Sequence, residues 1–185
     1  MTQAQLTVLA GPTAVGKGTV VAALLERYPT LTVSVSATTR DPRPGELNGV
    51  HYYFVSAQEF DAMIERGDML EWALVHGKNK YGTPRGPVDE ALAAGKPVLL
   101  EIDLAGARQV RTNRPDAQFI FLAPPSWEEL ESRLIGRGTE GPEEQARRLA
   151  TARVELEAAS EFDHVVINAD VGRAVDDLAR LIGLE

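Results

Sequence analysis

Residues 6–25 read LTVLA, then GPTAVGKGT, then VVAALL: an apolar run, a glycine-containing loop and a second apolar run. The first run predicts a buried strand and the second a helix. A loop between such elements is where a P-loop must lie to aim backbone N–H groups and a helix N-terminus at phosphates. Lys17 places a positive charge near the outer phosphates of a nucleotide. The stretch predicts a P-loop α/β fold, and a glycine turn that only caps a helix is the alternative.

The predicted ATP site is this loop of nine consecutive residues: Gly11, Pro12, Thr13, Ala14, Val15, Gly16, Lys17, Gly18 and Thr19. One position departs from the general P-loop pattern, because Gly18 stands where Ser or Thr usually follows the lysine. The hydroxyl comes one residue later, on Thr19, in a variant that resembles the loop of adenylate kinases. We therefore expect Mg²⁺ to be held mainly through water and substrate oxygens, with Thr19 as a ligand through water.

Further along the chain, apolar runs alternate with helical patterns. A strand is predicted at 69–75, buried strands at 97–103, 119–122 and 165–167, and helices at 83–95, 126–135 and 171–182. The spacing of Ser56 and Glu59 predicts the cap of a further short helix that stops at Gly67. Short β-prone pieces at 33–35 and 52–54 lie in a region broken by proline and glycine. The alternation is typical of a three-layer α/β domain.

Composition narrows the possible functions. A chain of 185 residues fits one domain with a single core. It has no cysteine and three histidines, which excludes disulfides and thiolate chemistry and disfavours a His-rich metal site. A formal charge of −8 argues against non-specific binding to nucleic acid or anionic lipid. With no signal-like start and no apolar run of about 18 residues, we expect a cytoplasmic protein without membrane or nucleic-acid partners.

The stretch at residues 34–46, SVSATTRDPRPGE, is more specific than the P-loop. Matching pieces follow in order at 49–52, 71–72, 81–83, 101–103, 123–126 and 136–140. Together they resemble guanylate kinases over nearly the whole chain. The resemblance implies a P-loop three-layer α/β fold with a parallel core sheet (1–34, 92–135 and 149–185), a small inserted GMP-binding lobe (35–91) and a short lid (136–148). It also implies transfer of the γ-phosphoryl group of ATP to GMP, with Mg²⁺ as cofactor, in purine metabolism and GMP recycling.

The acceptor phosphate has a candidate site in the same stretch. Arg40 and Arg43 lie on a proline-stiffened loop and can offer forked N–H pairs to a phosphate dianion. Tyr52 and Tyr81 could add hydroxyl donors, and the resemblance adds Glu46 to the GMP site. A solvated loop face is the alternative for the two arginines.

The choice of base is predicted to depend on Glu71. Guanine presents N1–H and a 2-amino group as adjacent donors, which the two oxygens of a carboxylate match, whereas adenine presents an acceptor at N1. The resemblance implies that the hydroxyls of Ser36 and Thr83 complete the recognition. A surface acid at a strand edge is the alternative for Glu71, and Trp72 beside it is interpreted as core packing.

Two acidic residues end the strand predicted at 97–103. Because Glu101 and Asp103 alternate along it, their side chains are expected on one face. The resemblance places them between the nucleotides, where they order Mg²⁺ waters and contact Lys17 or GMP, with the division of duties left open. Acids that are satisfied by helix N-termini are the alternative.

Arginines flank a glycine-rich stretch at 136–142 that we interpret as a lid hinge. Arg137 and Arg148 are the predicted phosphate-facing pair, because charge stabilisation and water exclusion supply most of the catalysis in phosphoryl transfer. Arg133 is assigned to the ATP site. The apolar face of the following helix, at Leu149, Ala152, Leu156 and Ala159, is expected to anchor the lid. Surface pairs with acids such as Glu143 and Glu144 are the alternative for these arginines.

Two other functions compete with the kinase assignment. Guanylate-kinase-like domains also occur as protein-interaction scaffolds, but this chain keeps Lys17 and both sets of arginines. A kinase of another monophosphate on the same scaffold is the second alternative, against which Glu71 argues. The oligomeric state, monomer or homodimer, and the preference for ATP or GTP as donor stay open.

Overall fold

The computed structural model describes residues 4–136, 138 and 140–185. The strands are β1 (Leu6–Ala10), β2 (Thr32–Val33), β3 (Ala37–Thr38), β4 (Tyr53–Phe54), β5 (Met69–Val75), β6 (Asn79–Pro84), β7 (Val98–Glu101), β8 (Gln118–Ala123) and β9 (His164–Ile167). The helices are α1 (Lys17–Arg27), α2 (Ala57–Glu65), α3 (Arg85–Ala93), α4 (Leu104–Asn113), α5 (Trp127–Ile135), α6 (Pro142–Glu157) and α7 (Val171–Ile182), with a 3₁₀ turn at Ala158–Glu161.

The core is a five-stranded parallel sheet in the order β2-β7-β1-β8-β9. All five residues of β1 are buried, as expected for the central strand of a parallel sheet with helices on both faces. Leu6 and Val8 belong to a core cluster that includes side chains of α3 and α4. Leu9 belongs to the opposite cluster, which includes side chains of α1, α6 and α7. The predicted three-layer α/β fold is confirmed.

A second, four-stranded sheet has the order β4-β3-β6-β5. Strand β5 of this sheet is attached to core helix α4 by side-chain hydrogen bonds. The Asn113 amide donates to the Leu70 carbonyl (2.9 Å), and the Gln109 amide both accepts from Trp72 N (3.0 Å) and donates to Trp72 O (2.9 Å). These contacts hold the backbone on either side of Glu71. The position of that residue is therefore tied to the core.

Several local predictions are confirmed. The Ser56 hydroxyl accepts from Glu59 N (3.0 Å) at the start of α2, as the capping pattern requires. Helix α6 packs Ala152, with Leu149 and Leu156, against the core. Ala159 lies just beyond it, in the 3₁₀ turn. Trp72 packs against Phe60 and its neighbours, as interpreted from the sequence.

No helix among residues 4–136 and 140–185 is both long and apolar enough to cross a membrane.

Three local predictions were wrong. Thr83 belongs to β6, and α3 begins only at Arg85, because the strand pairing of Thr83 with Glu71 overrides its capping tendency. Strand β7 ends at Glu101, and Asp103 caps α4, a helix that the sequence reading missed. Strand β9 is not buried throughout: Val165 and Ile167 are exposed, because β9 lies at the edge of the sheet. The lobe and lid boundaries stay predictions.

Candidate active site

The P-loop turns sharply between β1 and α1. Gly16, the residue before α1, is left-handed with φ 95°, and Ala14 also has a positive φ of 67°. A Cβ at Gly11 would lie 2.4 Å from the Leu122 carbonyl oxygen, so only glycine lets the loop pass this close to β8. The loop residues and Glu101 line a cleft of about 380 Å³. The backbone thus forms an anion-binding turn at a helix N-terminus.

Lys17 is the first residue of α1, and its ammonium lies at the floor of this cleft. Nζ donates to the Gly11 carbonyl at 2.6 Å. Burial lowers the pKa of Lys17, and the carboxylates of Glu155, Glu101 and Asp103 oppose that shift. Three acids from different elements therefore surround the one cation that the P-loop carries.

Two side chains donate hydrogen bonds to a backbone carbonyl of the P-loop. The buried Asn168 amide donates to the Val15 carbonyl at 2.8 Å, and Arg133 Nη1 donates to the same oxygen at 3.3 Å. Arg133 also forms a 2.6 Å ion pair with Glu129. The structure thus places Arg133, predicted for the ATP site, against the loop backbone. The sequence reading missed Asn168, although a polar residue directly after strand β9 marks the carboxyl edge of the sheet, where sites form.

The predicted acceptor-phosphate residues lie on and beside the short second sheet. Arg40 forms a forked pair with Glu46, with Nη1 to Oε2 at 2.9 Å and Nη2 to Oε1 at 3.0 Å. Glu46 also accepts from Arg43 N at 2.7 Å, and these bonds lower the pKa of Glu46 to about 2. The Tyr52 and Tyr81 rings lie 5.9 Å apart, and the Arg40 guanidinium stands 5.3 Å from the Tyr52 ring centre. Arg40 is thus pre-oriented by a carboxylate and an aromatic ring.

Glu71 and Thr83 form a buried polar pair at one end of this sheet. The Thr83 hydroxyl donates to Glu71 Oε1 at 2.7 Å, and Glu71 is only 8% exposed. Burial raises the pKa of Glu71, and the Thr83 hydrogen bonds oppose the shift. Ser36 directly precedes Ala37, whose partner on β6 is Gly82, the neighbour of Thr83. If this antiparallel register is continued by one residue, Ser36 lies opposite Thr83. The predicted role of Ser36 in base recognition needs this proximity.

The sequence analysis did not single out Gly106, which packs closely against two carboxylates. A Cβ there would lie 3.1 Å from Glu71 Oε2 and 3.1 Å from Asp103 Oδ1, so a larger residue would crowd both carboxylates. Asp103 accepts from Gly106 N at 2.7 Å as the cap of α4. The alternative reading of a strand-end acid satisfied by a helix N-terminus is thus what the structure shows for Asp103.

Asp103 connects the two halves of the site. Burial lowers the pKa of Lys17, and the negative charge of Asp103 counteracts this shift. Burial raises the pKa of Glu71, and the same charge raises it further. Both groups therefore lie within electrostatic reach of the same carboxylate, one on the P-loop and one on the second sheet. Asp103 thus lies between the P-loop lysine and the buried Glu71–Thr83 pair.

Of the two predicted lid arginines, Arg137 lies outside the described residues. Arg148, on α6, pairs with Glu140 at 2.5 Å and more loosely with Glu144 at 3.6 Å. Its neighbour Arg147 pairs with Glu144 at 3.1 Å and is far more exposed, 72% against 35% for the two side chains. The surface-pair alternative thus describes Arg147 well. It also applies in part to Arg148, through Glu144, but Arg148 is less exposed and its shorter ion pair is with Glu140.

The residues around the P-loop suit a magnesium–nucleotide complex. Among residues 4–136 and 140–185, no three His, Asp or Glu side chains gather into a metal site. The Thr19 hydroxyl and the Glu101 carboxylate border the P-loop cleft, and oxygen donors of this kind are those that Mg²⁺ takes from proteins. The donor set fits an ion held largely by phosphates and water.

A parallel sheet with a P-loop between β1 and α1, beside a small second sheet, is the arrangement of P-loop nucleoside-monophosphate kinases, and the fold defines that class. A sequence model described as guanylate kinase matches residues 3–185. The chain is 62% identical over 176 residues to a guanylate kinase of Leifsonia xyli, covering 94% of this chain and 69% of that one. It is 59% identical over 179 residues to a guanylate kinase of Rhodococcus jostii, covering 96% and 86%.

Structural comparison agrees with the sequence comparison. A crystal structure of guanylate kinase from Anaplasma phagocytophilum matches with a TM-score of 0.73 at 31% identity, over 99% of this chain and 86% of that one. The chain belongs to the guanylate kinase family. The resemblance seen in the sequence is confirmed.

Proposed function

We propose that the chain transfers the γ-phosphoryl group of ATP to GMP, giving ADP and GDP. Family membership supports the reaction. The observation that carries it in the structure is the position of Asp103, within electrostatic reach of both Lys17 and Glu71. Two nucleotides bound at these groups meet end to end, with the acceptor phosphate close to the donor's outer phosphate.

The donor's phosphates bind the backbone amides of residues 16–19 at the N-terminus of α1, because the Thr13 and Val15 N–H groups already donate within the protein. Lys17 Nζ, which here donates to Gly11 O, exchanges that carbonyl for a phosphate oxygen. The half-buried position strengthens the ammonium–phosphate attraction, because the local dielectric is lower than that of water. When bound, Mg²⁺ neutralises developing charge on the phosphates, and Thr19 and Glu101 are the residues that would hold it, through water. Arg133 supports the donor site by holding Val15.

The acceptor's phosphate binds between Arg40, Arg43, Tyr52 and Tyr81. Glu46 keeps Arg40 extended by its forked pair, so the guanidinium loses little rotational freedom on binding. The attacking phosphate oxygen is already anionic, so no general base is needed. Catalysis then consists of positioning and charge stabilisation.

The acceptor's base binds at Glu71, Thr83 and Ser36. The Thr83 hydroxyl donates to one oxygen of Glu71, which fixes the orientation of the carboxylate for the adjacent N1–H and 2-amino donors of guanine. An adenine ring would place an acceptor against a buried carboxylate, and sites of this type strongly reject a base that leaves them unpaired. Base recognition therefore selects GMP.

A coupled assay of ADP formation from Mg-ATP with GMP, AMP, UMP or CMP tests this function. We expect saturable turnover with GMP and turnover with the other monophosphates lower by roughly 10⁴-fold, the discrimination of a buried hydrogen-bonding site. Comparable turnover with AMP would contradict the base assignment while leaving the kinase class intact. No turnover together with intact GMP binding would favour the scaffold alternative. The cytoplasmic location and the oligomeric state, monomer or homodimer, stay predictions.

Arg148 is proposed to face the transferred phosphoryl group when the lid closes. We expect Arg148→Ala to lower kcat roughly 100-fold, because one preorganised cation is lost from the charge developed in transfer. GMP binding in the absence of ATP should stay within twofold, since Arg148 lies on α6 and not on the second sheet. Arg147→Ala is the matched control, one residue away, and should keep near wild-type kcat. A near wild-type kcat in both variants would assign both arginines to the surface, and an equal large loss in both would contradict a special role for Arg148.

A further inference from the structure

We propose that Glu155 is a positioning residue that couples the lid helix α6 to the P-loop. Glu155 Oε2 accepts a hydrogen bond from the backbone N–H of Thr13 at 3.2 Å, across 142 residues of sequence. This inference rests on the proposed function, because it assigns Glu155 to the ATP-binding end of that site. It concerns a residue that neither the loop motif nor the base-recognition site includes.

The carboxylate of Glu155 is held at a boundary between solvent and protein. Burial and the nearby Asp103 charge raise the pKa of Glu155, whereas the Thr13 N–H and Lys17 lower it. The charged groups that face it are therefore Lys17 from α1 and Asp103 from the cap of α4, with Glu101 of β7 also facing Lys17. A partly desolvated carboxylate accepts a stronger hydrogen bond than an exposed one. Glu155 thus holds the first turn of the loop where the loop leaves β1.

The same face of α6 carries a residue of the lid. Arg148, Ala152 and Glu155 are spaced four and then three residues apart, so they form one stripe along the helix. Ala152, in the middle, is fully buried against the core. Arg148 and Glu155 are two turns apart, about 10.5 Å along the axis at 1.5 Å per residue. A rigid helix that is anchored at Ala152 sets the distance from the lid arginine to the P-loop through the Glu155 contact.

A simpler role makes the opposite prediction. If Glu155 only added negative charge to the cleft, it would repel the donor's phosphates, and its removal would tighten ATP binding. If it positions the loop, its removal leaves the Thr13 amide and the loop's first turn less ordered, and ATP binding weakens. The sign of the change in ATP affinity separates the two roles.

The test compares Glu155→Ala, Glu155→Gln and the control Glu157→Ala, which removes an exposed acid from the last position of the same helix. Calorimetry measures Kd for ATP and for GMP separately, steady-state kinetics measure kcat and KM, and melting curves measure Tm. We expect Glu155→Ala to weaken ATP binding roughly tenfold, the size of one hydrogen bond to a charged acceptor. The Kd for GMP should stay within twofold. Glu155→Gln, which keeps an acceptor oxygen for Thr13 N–H, should recover ATP binding to within about threefold of wild type.

Unchanged or tighter ATP binding by Glu155→Ala would overturn the proposal, and so would a fall in Tm alone with ATP Kd unchanged. Equal loss in the Gln and Ala variants would overturn the hydrogen-bond account. Failure of the proposed function is recognised separately, because wild-type protein would then bind ATP without turning over GMP. ATP binding by the three variants would still report on Glu155.

Discussion

Lys17→Met lowers kcat roughly 10³-fold, because it removes the cation that meets the outer phosphates of the donor while charge develops on them. Methionine keeps most of the side chain's length and apolar stem, so the change removes charge with little change in packing. Burial already lowers the pKa of Lys17, which means that the charged form is held at an energetic cost. We therefore expect Tm to stay the same or rise. Steady-state ADP formation and a melting curve measure the two quantities.

The control for this change is Lys96→Met, an exposed lysine in the turn after α3. It should leave kcat within twofold. GMP binding without ATP should be near wild type in both variants, since Lys17 contacts the P-loop carbonyl of Gly11 and not the second sheet. A Lys17→Met protein with more than a tenth of wild-type kcat would contradict the assignment of this lysine to the reacting phosphates.

Glu71→Gln lowers kcat/KM for GMP roughly 10³-fold, because guanine's two donors then face one acceptor and one donor in place of two acceptors. Each hydrogen bond to a charged partner contributes about 1.5–3 kcal/mol. The glutamine oxygen can still accept from the Thr83 hydroxyl, and burial no longer opposes a charge, so Tm should not fall. Initial rates with GMP and a melting curve test both parts. Glu65→Gln, at the exposed end of α2, is the control and should keep wild-type rates.

The same residue predicts a pH dependence of GMP binding. Burial raises the pKa of Glu71, and only the ionised carboxylate accepts both guanine donors, so affinity rises as pH rises through this elevated pKa. The loss on acidification therefore begins above the usual glutamate range. Because the GMP phosphate itself titrates near pH 6, the informative quantity is the ratio of wild-type to Glu71→Gln affinity at each pH. A ratio that is constant from pH 5 to 8 would contradict the proposal for Glu71.

Much of the fold was predictable, because short-range patterns carry it. The strand, loop and helix at residues 6–25 lie where the apolar runs and glycines indicate, and the caps at Ser56 and Ser126 follow local rules. Predictions failed where two distant segments decide the outcome. Thr83 joins a strand because Glu71 pairs with it, and Val165 and Ile167 are exposed because β9 is the last strand at its edge of the described sheet.

The candidate site divides in the same way. Motif residues such as Lys17, Arg40 and Glu71 could be predicted from the sequence, because phosphate and guanine require particular donors and acceptors, and their roles stay predictions. The residues that hold them were not: Asn168 supports Val15, Gly106 makes room for Glu71, and Glu155 meets Thr13. An asparagine, a glycine and a glutamate at these positions belong to none of the motifs.

By itself, the sequence determined the strand, loop and helix of the P-loop and the family, since each depends on residues close together in the chain or on ordered matches along it. The pairing of Glu71 with guanine stays a prediction. Only the tertiary structure decided that Asp103 caps α4 and that Arg133 supports the P-loop. It also decided that Lys17 and Glu71 both interact electrostatically with Asp103. The physical reason is the separation along the chain between the residues that interact. A hydrogen bond between residues 142 or 153 positions apart exists only after the parallel sheet has brought their strands and helices to one edge.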